Sequence, residues 1–143
     1  MIETISVDEF ERSARSLWTL HHAETEPTMP VPNPSFDFYR GLESRNEFML
    51  YVDRCGSELI GYVAGFVYVQ PHYGIVCAQH DVLFVLQEHR MGRTAFRLRD
   101  SLRADAKRRG AVFLFWHAKP NSAMERLLKK RSVLEEVIYR EEL

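Results

Sequence analysis

The chain has 143 residues, 45% hydrophobic, 12% aromatic and 27% charged, with a formal net charge of -1. That length suits one domain and buries roughly two thirds of the surface that the unfolded chain exposes, enough for a core without staples. The proportions exclude disordered, collagenous and low-complexity classes.

Two cysteines, Cys55 and Cys77, lie far apart and form no C-x-x-C pair. They argue against a disulfide scaffold or a cysteine-rich zinc site and suit a reducing cytoplasm. The longest apolar run, Leu59 to Val69, is too short to cross a bilayer as a helix, and Met1-Ile2-Glu3 lacks the basic and apolar regions of a signal peptide. A cytoplasmic location without a membrane partner is therefore expected. The charge is uneven. Residues 1–60 carry eleven acids and five bases, and residues 61–143 carry nine acids and fourteen bases. Eight bases fall within 89–109: Arg90, Arg93, Arg97, Arg99, Arg103, Lys107, Arg108 and Arg109. Such clustering points to a local anionic ligand or, more blandly, to a solvated helix face.

In chain order, Ser6-Val7-Asp8-Glu9 reads as a capping box, with Ile5 and Phe10 placed as a hydrophobic staple. Phe10, Ala14, Leu17, Trp18 and His21 then recur at helical spacing, predicting one helix that ends near His22. Pro27, Pro30, Pro32 and Pro34 make 23–35 a loop, since proline removes donors and fixes φ. Phe36 to Ser44 suits a short helix. Glu47–Val52, Leu59–Val69 and Ile75–Leu86 read as strands joined by the turns Asp53–Ser57 and Pro71–Gly74, an antiparallel meander. Gly92 to Arg109 is helical, with Ala95, Leu98, Leu102 and Ala106 on one face and Gly110 as its stop. Ala111–Trp116 is nearly all apolar, as for a strand buried on both faces and parallel to the one before the helix. Asn121 is expected to cap a last short helix, and Glu135–Arg140 is a weakly patterned final strand. No internal repeat or second domain is evident.

The stretch Val85-Leu86-Gln87-Glu88-His89-Arg90-Met91-Gly92-Arg93-Thr94-Ala95 joins a buried strand to an amphipathic helix. The first amides of that helix lack intrahelical partners and carry its positive dipole end, which makes an anion site. Gly92 allows close approach, and Arg90 and Arg93 add charge. A diphosphate would satisfy these groups together.

This order of elements, with Leu83-Phe84-Val85, then Arg90-Met91-Gly92-Arg93-Thr94-Ala95, then an Asn121-headed helix, resembles the GNAT superfamily of N-acetyltransferases. The family's phosphate turn is written Q/R-x-x-G-x-G/A. Arg90 fills its first position and Ala95 its last, while Arg93 stands where the central glycine is expected and Gly92 falls one place early. The Arg-x-Gly-Arg-x-small variant resembles acetyltransferase-like proteins of tailed bacteriophages, which would place the chain in a host cytoplasm. The resemblance implies a single acetyltransferase domain over 1–143. It implies an α+β, three-layer fold with a mixed, mostly antiparallel sheet, a splayed parallel strand pair and helices on both faces. It also implies acetyl-CoA as co-substrate. The pyrophosphate would lie on residues 90–95 (Arg90, Met91, Gly92, Arg93, Thr94 and Ala95). The pantetheine arm would pair with backbone groups of Phe84 and Val85 and touch Asn121.

Acetyl transfer to an amine needs a base for the amine proton, a donor for the developing oxyanion and, usefully, an acid for the leaving thiolate. Base candidates are His80 and Asp81, which strand alternation sends to opposite faces, and His117 at the end of the next strand. Glu24, Glu26 and Asp37 near the proline loop suit a cationic amine. The family's usual acid, a tyrosine about seven residues after the asparagine, is replaced here by Leu128, and the nearest tyrosine is Tyr139. No metal is expected, because the six histidines show no chelate spacing. The acceptor would be an amine of a small molecule or a protein, and the 132–143 tail could complete a sheet in its own or a neighbouring chain of a homodimer. The alternatives are a catalytically inactive binding or virion-associated module of the same fold, or a nucleic-acid module using the arginine helix. The slightly negative total and the lack of a recognition signature count against the last.

Overall fold

The structure, a computed structural model, describes residues 1–143. Five strands form one sheet in chain order: β1 (Ile2–Thr4), β2 (Phe48–Cys55), β3 (Glu58–Gln70), β4 (Ile75–Val85) and β5 (Phe113–Phe115). The first three neighbouring pairs are antiparallel and β4 runs parallel to β5. Helices α1 (Val7–Ser13), α2 (Arg15–Thr25) and α3 (Phe36–Ser44) precede β2. Helix α4 (Thr94–Arg108) crosses from β4 to β5, and α5 (Ala123–Leu128) follows β5. This is the expected mixed sheet with helices on both faces.

The expected first helix is interrupted at Ala14, which is fully buried with φ -106° and ψ 10°. The hydrogen-bond ladder still passes through it, because Ala14 donates to Phe10 and its carbonyl accepts from Trp18. Only half of the capping box forms. The Ser6 hydroxyl accepts from the Glu9 amide at 3.1 Å, but the Glu9 carboxylate turns to Arg54 at 3.2 Å. Glu43 accepts from the Val7 amide instead, at 3.0 Å, and ties α1 to α3.

Two cores sandwich the sheet. On one face Leu98, Leu102 and Ala106 of α4, one helical turn apart, pack on Met49, Val63, Ala78 and Val85. Each buried leucine contributes roughly 2 kcal/mol. On the other face Ala14 and Leu17 pack on Val52, Tyr62 and Phe84. Gly61 and Gly65 let α4 approach: a Cβ at Gly61 would lie 3.2 Å from a Leu98 methyl carbon, and one at Gly65 would lie 3.3 Å from both Leu102 methyl carbons. The buried Asp53 carboxylate on β2 accepts from Arg97 of α4 at 2.5 Å and fixes the start of that helix.

Three expectations need correction. Strand β5 is only three residues long, and Phe113 is 56% exposed, so it is an edge strand rather than one buried on both faces. Residues 135–140 form no strand; their apolar side chains Val137, Ile138 and Tyr139 are exposed. The cap of α5 is Ser122, whose hydroxyl accepts from the Glu125 amide at 3.1 Å, while Asn121 sits one residue earlier at φ 64°.

Candidate functional site

Pairing between β4 and β5 stops at Gln79 opposite Phe115, although β4 runs on to Val85. Beyond that point β5 has ended and β4 presents an edge with no strand partner, the slot. At its start, the His80 ring packs on Trp116 at a tilt of 33°, with centroids 4.9 Å apart. His80 is 5% exposed, and both of its ring nitrogens are buried without a hydrogen-bond partner. Burial pushes its pKa down to about 4, with the His117 and His21 charges acting in the same sense. His80 is therefore neutral near pH 7 and has one donor and one acceptor unused.

Asp81 is the extra residue of a β-bulge, since Gly65 pairs with His80 and Ala64 with Val82. The bulge turns its carboxylate to the α3 side, where Tyr39 Oη donates to Oδ2 at 2.9 Å. Partial burial raises the Asp81 pKa from its ordinary value, with the Tyr39 bond and His117 pulling the other way. Burial and the neighbouring carboxylate hold the Tyr39 phenol protonated. His80 and Asp81 thus face opposite sides of β4, as alternation predicts. His117 lies exposed in the coil after β5.

The turn after β4 is a single 3₁₀ turn over Gln87–His89, then an open stretch leading into α4. The amides of Met91 through Phe96 donate to no backbone acceptor. Gly92 has no heavy atom closer than 3.6 Å to where a Cβ would stand. Arg93 is the N-cap residue of α4, is exposed and has no carboxylate partner. Met91 is 98% exposed, whereas Thr94 is buried and Ala95 packs on the α4 core.

Arg90 has another occupation. Its two terminal nitrogens grip the Glu24 carboxylate, both at 2.7 Å, its Nε donates to the Val85 carbonyl at 2.8 Å, and its guanidinium lies over Phe84. It locks α2 to the turn. The basic run as a whole is largely neutralised. Arg90, Arg97, Arg99, Arg108 and Arg109 are in ion pairs, leaving Arg93, Arg103 and Lys107.

Backbone alternation sorts the strand residues. Leu86 donates to Ile60, and the Phe84 carbonyl lies against Gly61, so Phe84 turns its backbone to β3. Val85 turns its amide toward the slot, and its carbonyl is already taken by Arg90. Asn121 donates its amide to Glu125 at 2.7 Å and lies exposed ahead of α5. Leu128 is half-buried on α5, and Tyr139 is 89% exposed in the tail, so neither brings an acid to the slot. Tyr39 is the residue that sequence reasoning missed. No spacing signal marks a tyrosine on a short helix as the partner of a strand carboxylate 42 residues later.

In comparisons with solved structures, the whole chain superposes on acetyltransferases. An aminoglycoside acetyltransferase, HMB0005, from an uncultured soil metagenomic sample matches with TM-score 0.77 and 19% identity, over 100% of this chain and 97% of that one. A second from such a sample, meta-AAC0020 in complex with sisomicin, matches with TM-score 0.74 and 14% identity, over 100% and 94%. A ribosomal-protein-alanine N-acetyltransferase from Brucella melitensis biovar Abortus 2308 matches with TM-score 0.69 and 19% identity, over 98% and 99%. The fold is therefore the GNAT-type acetyltransferase fold. No protein-family model and no curated protein sequence matches the chain.

Proposed function

We propose that residues 1–143 form one acetyl-CoA-dependent N-acetyltransferase domain that moves an acetyl group directly to a primary amine of a small molecule or protein. The observation that carries this reading is the β4 edge left without a strand partner beyond Gln79, directly before a helix start with unpaired amides. Several features fit acetyl-CoA: the amides of Met91 through Phe96, the unpaired cation of Arg93, and two unsatisfied nitrogens of His80 at the slot. An anion at a helix start gains from both the amides and the dipole. The shared fold with the acetyltransferases supports the same reading. Two unpaired cysteines suit a cytoplasmic protein.

Acetyl-CoA supplies a thioester whose acetyl group passes to the amine as the C–S bond breaks. The chain does the rest. The Met91–Phe96 amides and Arg93 hold the diphosphate. The Val85 amide faces the slot as a donor for the developing oxyanion. Asp81 meets the amine on the α3 side. His80, neutral at physiological pH, hydrogen-bonds within the slot, and His117 takes the amine proton toward solvent.

The test is thiol release from acetyl-CoA across a panel of arylalkylamines, polyamines, aminoglycosides and peptide N-termini. Amine-dependent release is expected, and His117→Ala should lower kcat more than it raises the KM for acetyl-CoA. No amine-dependent release across the panel contradicts catalysis and favours a binding module.

A further inference from the structure

Helices α1, α2 and α3 and the facing strands enclose a pocket of about 260 Å³. Ten of its twelve lining residues are hydrophobic, and the walls include the rings of Phe10, Trp18, Phe36, Tyr39 and Tyr62. Asp81 is its one carboxylate, and it stands at the β4 bulge next in sequence to His80, which faces the opposite side of the strand.

The surrounding charges decide what the pocket can hold. Glu24 is taken by Arg90, Glu26 by Lys119 and Asp37 by Arg40. Arg40 itself is shared among Asp8, Glu11 and Asp37. Asp81, the one carboxylate on the pocket wall, has no cationic partner, only the Tyr39 hydroxyl. A single unpaired carboxylate at the mouth of an aromatic pocket complements one ammonium on an apolar body, and ring faces add attraction for that cation. Inside the pocket a polycation would bring further charges with no second carboxylate on the walls to meet them. The volume falls just below the ~300–1,000 Å³ of pockets that bury drug-sized ligands, and suits one ring with a short chain.

Building on the acetyl-transfer reading, we infer that the acceptor is a monocationic arylalkylamine whose ring enters this pocket and whose nitrogen sits at Asp81. The ring fixes orientation by burial, and Asp81 holds the nitrogen at the β4 bulge.

The full chain is titrated calorimetrically with 2-phenylethylamine, its uncharged analogue 2-phenylethanol, and spermidine, with CoA titrated in parallel. Phenylethylamine should bind about tenfold or more tightly than either competitor. Asp81→Asn should erase its advantage over phenylethanol. Spermidine binding as tightly as phenylethylamine overturns the inference, as does phenylethanol matching phenylethylamine on the unaltered chain. An Asp81→Asn protein that keeps the amine preference does the same. Intact CoA binding with no amine preference refutes the arylalkylamine assignment alone, whereas absent CoA binding refutes the acetyl-transfer reading whatever the amines do.

Discussion

Gly65→Ala tests how the sheet positions the site. The added Cβ would lie 2.6 Å from the Gln79 carbonyl oxygen and 3.3 Å from both Leu102 methyl carbons. The leucine can rotate, but the carbonyl belongs to the β4 backbone and can only be relieved by moving that strand. Overpacking of this kind costs about 1–3 kcal/mol, and a backbone obstacle puts the cost near the upper end. Replacing a strand glycine returns roughly 0.5–1 kcal/mol through the unfolded chain. The net loss should be about 2 kcal/mol, read from urea unfolding with an unchanged m-value. Gly65 pairs with His80, so the shift carries the bulge with it, and phenylethylamine binding should weaken in the same protein. Gly41→Ala is the control. It lies inside α3, its Cβ would meet only the mobile Arg45 guanidinium at 3.5 Å, and it should stabilise by up to about 1 kcal/mol. A Gly65→Ala protein as stable as the parent would refute the close approach on which the bulge geometry rests.

The two arginines of the turn should behave differently. Arg90→Ala breaks a half-exposed bidentate pair and should cost about 1 kcal/mol of stability, whereas Arg93→Ala should change unfolding by less than about 0.5 kcal/mol yet weaken CoA binding about tenfold. The opposite pattern in unfolding and titration would move the pyrophosphate from Arg93 to Arg90. His80 should make stability pH-dependent. Its imidazole titrates near 6.5 when unfolded and near 4 when folded, so between those values the unfolded chain binds a proton that the folded chain refuses. Stability is then full above pH 6.5 and falls as pH drops toward 4, by up to about 3 kcal/mol for this residue. His80→Phe should reduce that slope in urea unfolding at pH 7 and pH 5, the remainder coming from His21, whose pKa burial also holds at about 4; an unchanged slope would show that His80 is not buried neutral.

Much of the fold was legible because its signals are local. The meander, the period change at Gly92 and the Gly110 stop came from alternation, 3.6-residue spacing and a glycine after the last periodic residue, which the structure places at φ 83°. Strand β1 escaped notice because three residues carry no pattern, and it exists only through pairing with β2 across about fifty residues. The break at Ala14 was invisible for the converse reason: alanine is a good helix former, and packing on the sheet imposes the bend. Apolar 111–116 suggested a doubly buried strand, but nothing in those residues says whether the tail will cover them. The site divides the same way. A helix start rich in unpaired amides can be read from residues 85–95, whereas the partners of charges cannot. The sequence offered Arg90 and Arg93 as equals, and Glu24, 66 residues away, takes one of them. Likewise Glu24, Glu26 and Asp37 looked available to an amine, but three-dimensional pairing occupies them and leaves Asp81 as the carboxylate on the pocket wall without a cation.

The most direct test is a calorimetric titration of the full chain with CoA. A diphosphate on the Met91–Phe96 amides and Arg93 predicts saturable one-to-one binding, weaker as salt screens the charges and about tenfold weaker in Arg93→Ala. No heat at high micromolar CoA would contradict the acetyl-transfer reading at its foundation.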